Sequence, residues 1–294
     1  MTKVATTQVN STQGLELLAR SGYAARGVVY LIVAFFAVQA ARGSGDNVST
    51  KGAVEQMMGE PYGQALLWAL FVGLIGYAIW RMIQALSDTD NHGSDLKGLV
   101  IRAALVASGI THVVLAFFAL SLVSSVDVGA GGGGSGGGGA GGDMLSRLLE
   151  FENSNLLIYA IALIPLGTGI AHLVKAWRAG FERYFECPEH VMRWVRPVSQ
   201  VGLAARGIVF LIIAALLFMG GARYEPTAPP GLKEALDALQ GMPFGSLLLL
   251  AIGLGLAAFA VYSFAEARWR RIDMREVTSS IQGGSARVGV VRQA

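Results

Sequence analysis

Ionisable side chains set inside long apolar runs are the residues of this 294-residue chain that could do chemistry. Arg26 stands in Ala24-Ala25-Arg26-Gly27 and Arg206 in Ala204-Ala205-Arg206-Gly207, each leading into a strongly apolar stretch. A guanidinium in that setting costs about 2.5–3.5 kcal/mol to insert. Either its aliphatic stem carries the charge back to the headgroups or to a helix-end carbonyl, or it lines an inner vestibule where its planar fork takes a carboxylate or phosphate. Arg81, His112 and His172 lie deeper in other apolar runs. The two imidazoles could ligate haem iron or relay a proton. With two lone histidines on separate segments and no haem-attachment motif, an interhelical hydrogen bond worth about 0.6 kcal/mol takes precedence. No cofactor is expected, with haem held by His112 and His172 as the alternative.

Other chemistry finds no support. There is no phosphate loop, dinucleotide fingerprint, nucleophile elbow or metalloprotease histidine pair, so the chain is not read as an enzyme. Cys187 is the single cysteine, which excludes an internal disulfide. His190 beside Cys187 and Glu189 is too sparse a set for zinc.

The candidates must be positioned by membrane helices. Hydrophobic residues make up 53% of the chain and charged residues only 15%, against about a quarter charged in a soluble domain. Mean hydropathy is +0.51. This excludes a water-soluble domain, a disordered chain and a nucleic-acid module. A bilayer core needs about 20 apolar residues in a helix, and six stretches supply them: Gly22–Ala41, Gln64–Leu86, Leu99–Val126, Asn155–Trp177, Val198–Gly220 and Ser246–Ala265. They are continuous runs without two-residue alternation, hence helices and not barrel strands. Trp68, Trp80, Trp177, Trp194 and Trp269 fall near the ends, where an aromatic belt belongs. Six crossings put both termini on one side. Of the chain's 23 Lys and Arg, only Arg42, Lys51, Arg147, Arg223 and Lys233 fall on the other side. Both termini are therefore expected in the cytoplasm of a bacterial inner (cytoplasmic) membrane. Arg268, Arg270, Arg271 and Arg275 read as a stop-transfer patch after the last helix.

An internal repeat organises these helices. Residues 21–34 and 201–214 share nine of fourteen positions at an offset of 180, and Gly109 joins Gly27 and Gly207 in the same frame at an offset of 82. The return helices align at a spacing of 91, which makes Arg81, His172 and Ser263 equivalent, and likewise Gln84, Lys175 and Glu266. The chain is thus expected to be all-α, with six transmembrane helices in three parallel-oriented hairpin repeats and pseudo-threefold symmetry about the membrane normal. The hairpins cover 15–90, 97–182 and 193–272, after an N-terminal tail over 1–14 and before a disordered tail over 277–294. The apolar spacing at 53–58, 145–149 and 232–239 predicts a short interfacial helix outside each hairpin. A flexible Gly-rich loop covers 129–142. Gly27, Gly109, Gly207 and Gly76 read as helix-packing surface. Pro165, with Gly167 and Gly169, is expected to loosen the fourth helix.

The Ala-Arg-Gly-hydrophobic-hydrophobic-aromatic pattern at residues 25–30 and 205–210 resembles the bacterial membrane family catalogued as domain of unknown function 1206, and Gly76-Tyr-Ala-Ile-Trp-Arg-Met-Ile-Gln-Ala85 resembles its return helix. The middle copy departs, with Ser108 for the arginine and His112 for the aromatic. The resemblance implies three tandem two-helix repeats and no particular activity. The role read first is a non-enzymatic structural or interaction component of the membrane, or an accessory subunit, on the ground that the interior is poor in paired charge. Its partners would be the lipid bilayer and a second copy or another membrane protein, with no nucleic acid. The alternative is a pathway for a small solute, an anion or a proton through the centre of the repeats, using Arg26, Arg206, Arg81, His112 and His172.

Overall fold

The computed structural model describes residues 2–43, 54–55, 63–90, 93–124, 154–223 and 232–272. Among these residues the α-helices are, in order, α1 (Thr2–Ala41), α2 (Gly63–Ser87), α3 (Leu96–Ser124), α4 (Ser154–Trp177), α5 (Glu189–Arg223), the short α6 (Leu232–Gln240) and α7 (Gly245–Trp269). All except α6 are long and apolar enough to cross a bilayer. The chain is an all-α, multi-pass membrane protein. Among the described residues β pairing is confined to one bridge, Phe185 with Arg270.

Two helices begin before their apolar runs. The segment 1–14, expected as a tail, is helical from Thr2, and α5 starts at Glu189, so the end of the expected 178–197 connection is helix. Gly14 and Pro197 stand at the expected boundaries, and both are accommodated inside the helices. Pro165 likewise lies within a continuous α4. The amphipathic α6 buries Leu232, Ala235, Leu236 and Leu239 against α5 and α7. The interfacial helices expected at 53–58 and 145–149 lie outside the described residues, apart from Val54 and Glu55, as do the Gly-rich stretch 129–142 and the tail 277–294.

Each crossing helix packs on one or two other crossing helices. α1 lies against α2 and α7, α2 against α3, α7 against α5, and α5 against α4. The spatial order is α3, α2, α1, α7, α5, α4, and among the described residues no extended contact joins the outer members α3 and α4. Burial reflects this. Of the most apolar stretch, 22% is buried in α3 and 17% in α4, against 44–50% in the other four crossings.

The contacts between hairpins recur at the offsets that align the sequence. Gly27 meets Phe264, Gly109 meets Met82, and Gly207 meets Leu173, each with no room for a larger side chain unless the partner shifts. At the ends of the return helices, Arg20 donates to the carbonyls of Ala267 and Arg268, Arg102 to those of Ala85 and Leu86, and Gln200 to that of Ala176. These are last-turn carbonyls beyond the regular intrahelical pattern, and Ala176 O also accepts from Ala179 N at 3.2 Å.

The contacts within hairpins recur only twice. A Cβ on Gly22 would lie 2.4 Å from Tyr77 Cβ, and one on Gly202 would lie 2.4 Å from the Phe259 backbone nitrogen. Gly73 meets Ala25, and Gly255 meets Ala205, in the same relation. Gly76 packs on Leu18. In the middle hairpin the equivalents of Gly22 and Gly73 are Ala104 and Ile164, both exposed. Without the glycines the helix axes cannot approach as closely, and α3 and α4 stand apart.

Candidate functional site

Arg26 is buried, with 4% of its surface exposed, on the inward face of α1. Its Nη1 donates to Tyr77 Oη at 2.7 Å, its Nε donates to Ser263 Oγ at 3.1 Å, and its Nη2 pairs with Glu266. The rings of Tyr23, Tyr77 and Phe259 lie 5.1–5.2 Å from the guanidinium carbon, within cation–π range. The other Glu266 oxygen accepts from Arg270 Nη1 at 2.7 Å, and Arg270 Nη2 reaches Asp90 at 3.2 Å. Asp90 accepts from Gln84 at 2.9 Å, Gln84 accepts from Arg81 at 3.1 Å, and Arg81 closes the circuit by donating to Tyr77 Oη. Seven side chains from α1, α2, α7 and the connections after α2 and α7 thus form one closed hydrogen-bonded ring. Buried ion pairs of this kind offset their desolvation only when both partners are present and their remaining polar atoms are met.

Two placements correct the sequence reading. Arg270 is not a stop-transfer charge at the surface: it is 4% exposed and folds back onto Glu266. Its position is set by the connection after α4, where Glu186 N donates to Trp269 O and Arg271 N to Tyr184 O. Trp80 is not interfacial: it is buried, and its indole N–H donates to Tyr23 Oη at 3.0 Å. An interior poor in paired charge is overturned by the same ring.

Arg206 on α5 is the sequence counterpart of Arg26, and its surroundings differ. The rings of Tyr30, Phe210 and Phe259 lie 4.6–5.3 Å from its guanidinium carbon. Among the described residues it has no hydrogen bond and no ion pair, and its Nε is buried without a partner. The reason lies in the sequence. Around Arg26 the partners are Tyr77, Ser263 and Glu266; the aligned positions around Arg206 hold Phe259, His172 and Lys175. A phenol, a hydroxyl and a carboxylate are replaced by a ring, an imidazole and a cation. Lys175 donates to Tyr262 Oη at 3.2 Å.

The two histidines are not brought face to face. His112 packs on Tyr77 of α2, with ring centroids 4.5 Å apart, and His172 packs on Phe210 of α5 at 5.7 Å. Each Nδ1 sits 2.6–2.8 Å from the carbonyl one turn earlier, of Ser108 and Thr168 respectively. That contact fixes the Nδ1–H tautomer and leaves Nε2 as the acceptor. Both imidazoles are in electrostatic reach of Arg206.

Sequence reasoning did not single out Tyr77 and Asp90. Tyr77 reads as one more aromatic in an apolar helix, and Asp90 as a loop acid. The signal that could have found the ring is Glu266, an acid in the last apolar helix that needs a cation near it.

Six apolar crossings, with a buried, cation-rich ring between three of them, define a multi-pass helical membrane protein with a charged interior. Residues 21–88 and 201–270 match the family described as Domain of Unknown Function (DUF1206); the two regions fall on α1–α2 and on α5–α7. The chain is also similar to the uncharacterized protein YxxB of Bacillus subtilis (strain 168), 26% identical over 262 residues, which cover 88% of this chain and 92% of that protein. No solved structure matches.

Proposed function

We propose that the chain is a non-enzymatic protein of the bacterial cytoplasmic membrane, with both termini in the cytoplasm, that takes an anion into the centre enclosed by its helices. The solute-pathway reading is thereby preferred to that of a purely structural component. The observation that carries it is the charge balance of the interior. Arg26, Arg81, Lys175 and Arg270 gather around Glu266, with Asp90 as a second acid beside Arg270, and Arg206 lies in electrostatic reach of Arg26 and Arg81. Uncompensated cations inside a membrane are costly, and an entering carboxylate or phosphate offsets that cost with charge-assisted hydrogen bonds. The recurrence of Gly27, Gly109 and Gly207, and of the caps by Arg20, Arg102 and Gln200, supports a pseudo-threefold arrangement around this centre. The Arg, Lys and His groups there need no metal or prosthetic group to hold an anion.

Thiol labelling tests the reading. In a Cys187→Ser background, which removes the one native thiol, single cysteines replace residues 206, 172, 112, 81 and 26 in turn. Cysteines at 206, 172 and 112 should react with a small water-soluble anionic reagent, more slowly when phosphate is added, and the cysteine at 26 should stay protected. Protection at all five positions overturns the proposal. A structural component would show instead as a stable oligomer or a co-purifying membrane protein, with no effect of anions on labelling.

A further inference from the structure

We propose that Arg206 seats the headgroup of an acidic lipid that enters sideways between α3 and α4. This rests on the anion-binding reading above and names the ligand class, the residue and the route.

The seat follows from the comparison with Arg26. There the chain supplies its own carboxylate, Glu266, and two hydroxyls. At Arg206 the aligned carboxylate is Lys175, and no acceptor reaches the guanidinium from the described residues. Three rings pack around the guanidinium within cation–π range, and no described residue accepts from its N–H groups, which are the part left for a ligand. A phosphate or carboxylate meets that edge with two parallel hydrogen bonds. His172, on the helix packed against α5, is the polar neighbour in electrostatic reach.

The route follows from the middle hairpin. At the positions where α1 closes on α2, and α5 on α7, α3 carries exposed Val100, Ala104 and Ala107, and α4 carries exposed Ile164 and Gly167. Val100 and Ile164 are 61% and 66% exposed. Nothing lies within 4 Å of the Cβ position of Gly167. These walls are apolar, and they flank a cation about 12 Å along the helix from Val198, where the apolar run begins. A free anion can meet the guanidinium but gains nothing from these walls. An acyl chain is at home between two apolar helices while its headgroup reaches the guanidinium, so charge and wall chemistry together select an acidic amphiphile.

The test uses the full chain in detergent, with phosphatidylglycerol, phosphatidylcholine and inorganic phosphate as separate probes. Retained lipid is read by native mass spectrometry and thermal stability by a melting curve. The wild type should retain one phosphatidylglycerol, at least tenfold in preference to phosphatidylcholine, and melt higher with it. Arg206→Gln should lose that retention. Lys175→Glu puts a carboxylate at the position of the middle repeat that aligns with Glu266. It should retain no phosphatidylglycerol and melt at least as high as the lipid-free wild type, so a folding failure of Arg206→Gln does not spare the proposal. Equal retention by wild type and Lys175→Glu overturns it. Protection by inorganic phosphate without lipid preference also overturns the lipid assignment while leaving the anion reading intact. Indifference to all three probes, together with protected cysteines at residues 206, 172 and 112, overturns both.

Discussion

Arg26 and Arg206 stand at matching places in two copies of one pattern, and their niches are opposites. Arg26 is closed in by a carboxylate, two hydroxyls and a second arginine that shares the carboxylate. Arg206 is framed by aromatic faces and paired with nothing among the described residues. The arginines are identical, so the difference is written in the return helices, where positions 77, 263 and 266 give way to 259, 172 and 175. A repeat can thus keep its packing frame and specialise by exchanging the partners: one copy locks a charge to tie helices together, and another leaves the same charge available.

The sharpest way to break this comparison is to remove the shared carboxylate. Glu266→Gln leaves Arg26 and Arg270 buried without an anion, and stability should fall by about 3–5 kcal/mol in mixed-micelle unfolding. Arg206→Gln removes a charge that has no in-chain partner, and should leave stability unchanged or raise it. Equal losses would erase the distinction.

A second contrast separates two neighbouring arginines after α7. Arg270→Ala breaks the ring at Glu266 and Asp90 and should cost about 3 kcal/mol. Exposed Arg268→Ala should stay within about 0.5 kcal/mol of the wild type in the same assay. Smaller again is the packing contrast between hairpins. Gly202→Val drives a side chain into the Phe259 backbone and should lose about 1–3 kcal/mol, while Ala104→Val, on the open face of α3, should be neutral. The smallest effect is Gln200→Ala, which removes the cap on Ala176 O and should cost about 0.6 kcal/mol.

Much of this fold was legible from one sequence because the bilayer imposes a length and an apolarity that few other structures share. The repeat offsets carried further still: they align the glycines that meet Phe264, Met82 and Leu173, and the residues that cap Ala267, Ala85 and Ala176. The ring was less legible. Arg26 and Glu266 are 240 residues apart, and only the packing of α1 on α7 makes them neighbours. Arg270 reads as an anchor charge until the turn around Tyr184 is known to bend it inward. The separation of α3 from α4 was present in the sequence as Ala104 and Ile164 where the other hairpins carry glycine. It becomes readable only once those glycines are known to lie between helices of one hairpin.

A density map of the protein in a bilayer containing phosphatidylglycerol examines the two arginines side by side. The account predicts a headgroup-sized feature within hydrogen-bond distance of the Arg206 guanidinium, continuous with an acyl chain running out between α3 and α4, and none at Arg26. A map in which α3 closes on α4 and a side chain of the protein itself pairs with Arg206 would contradict it.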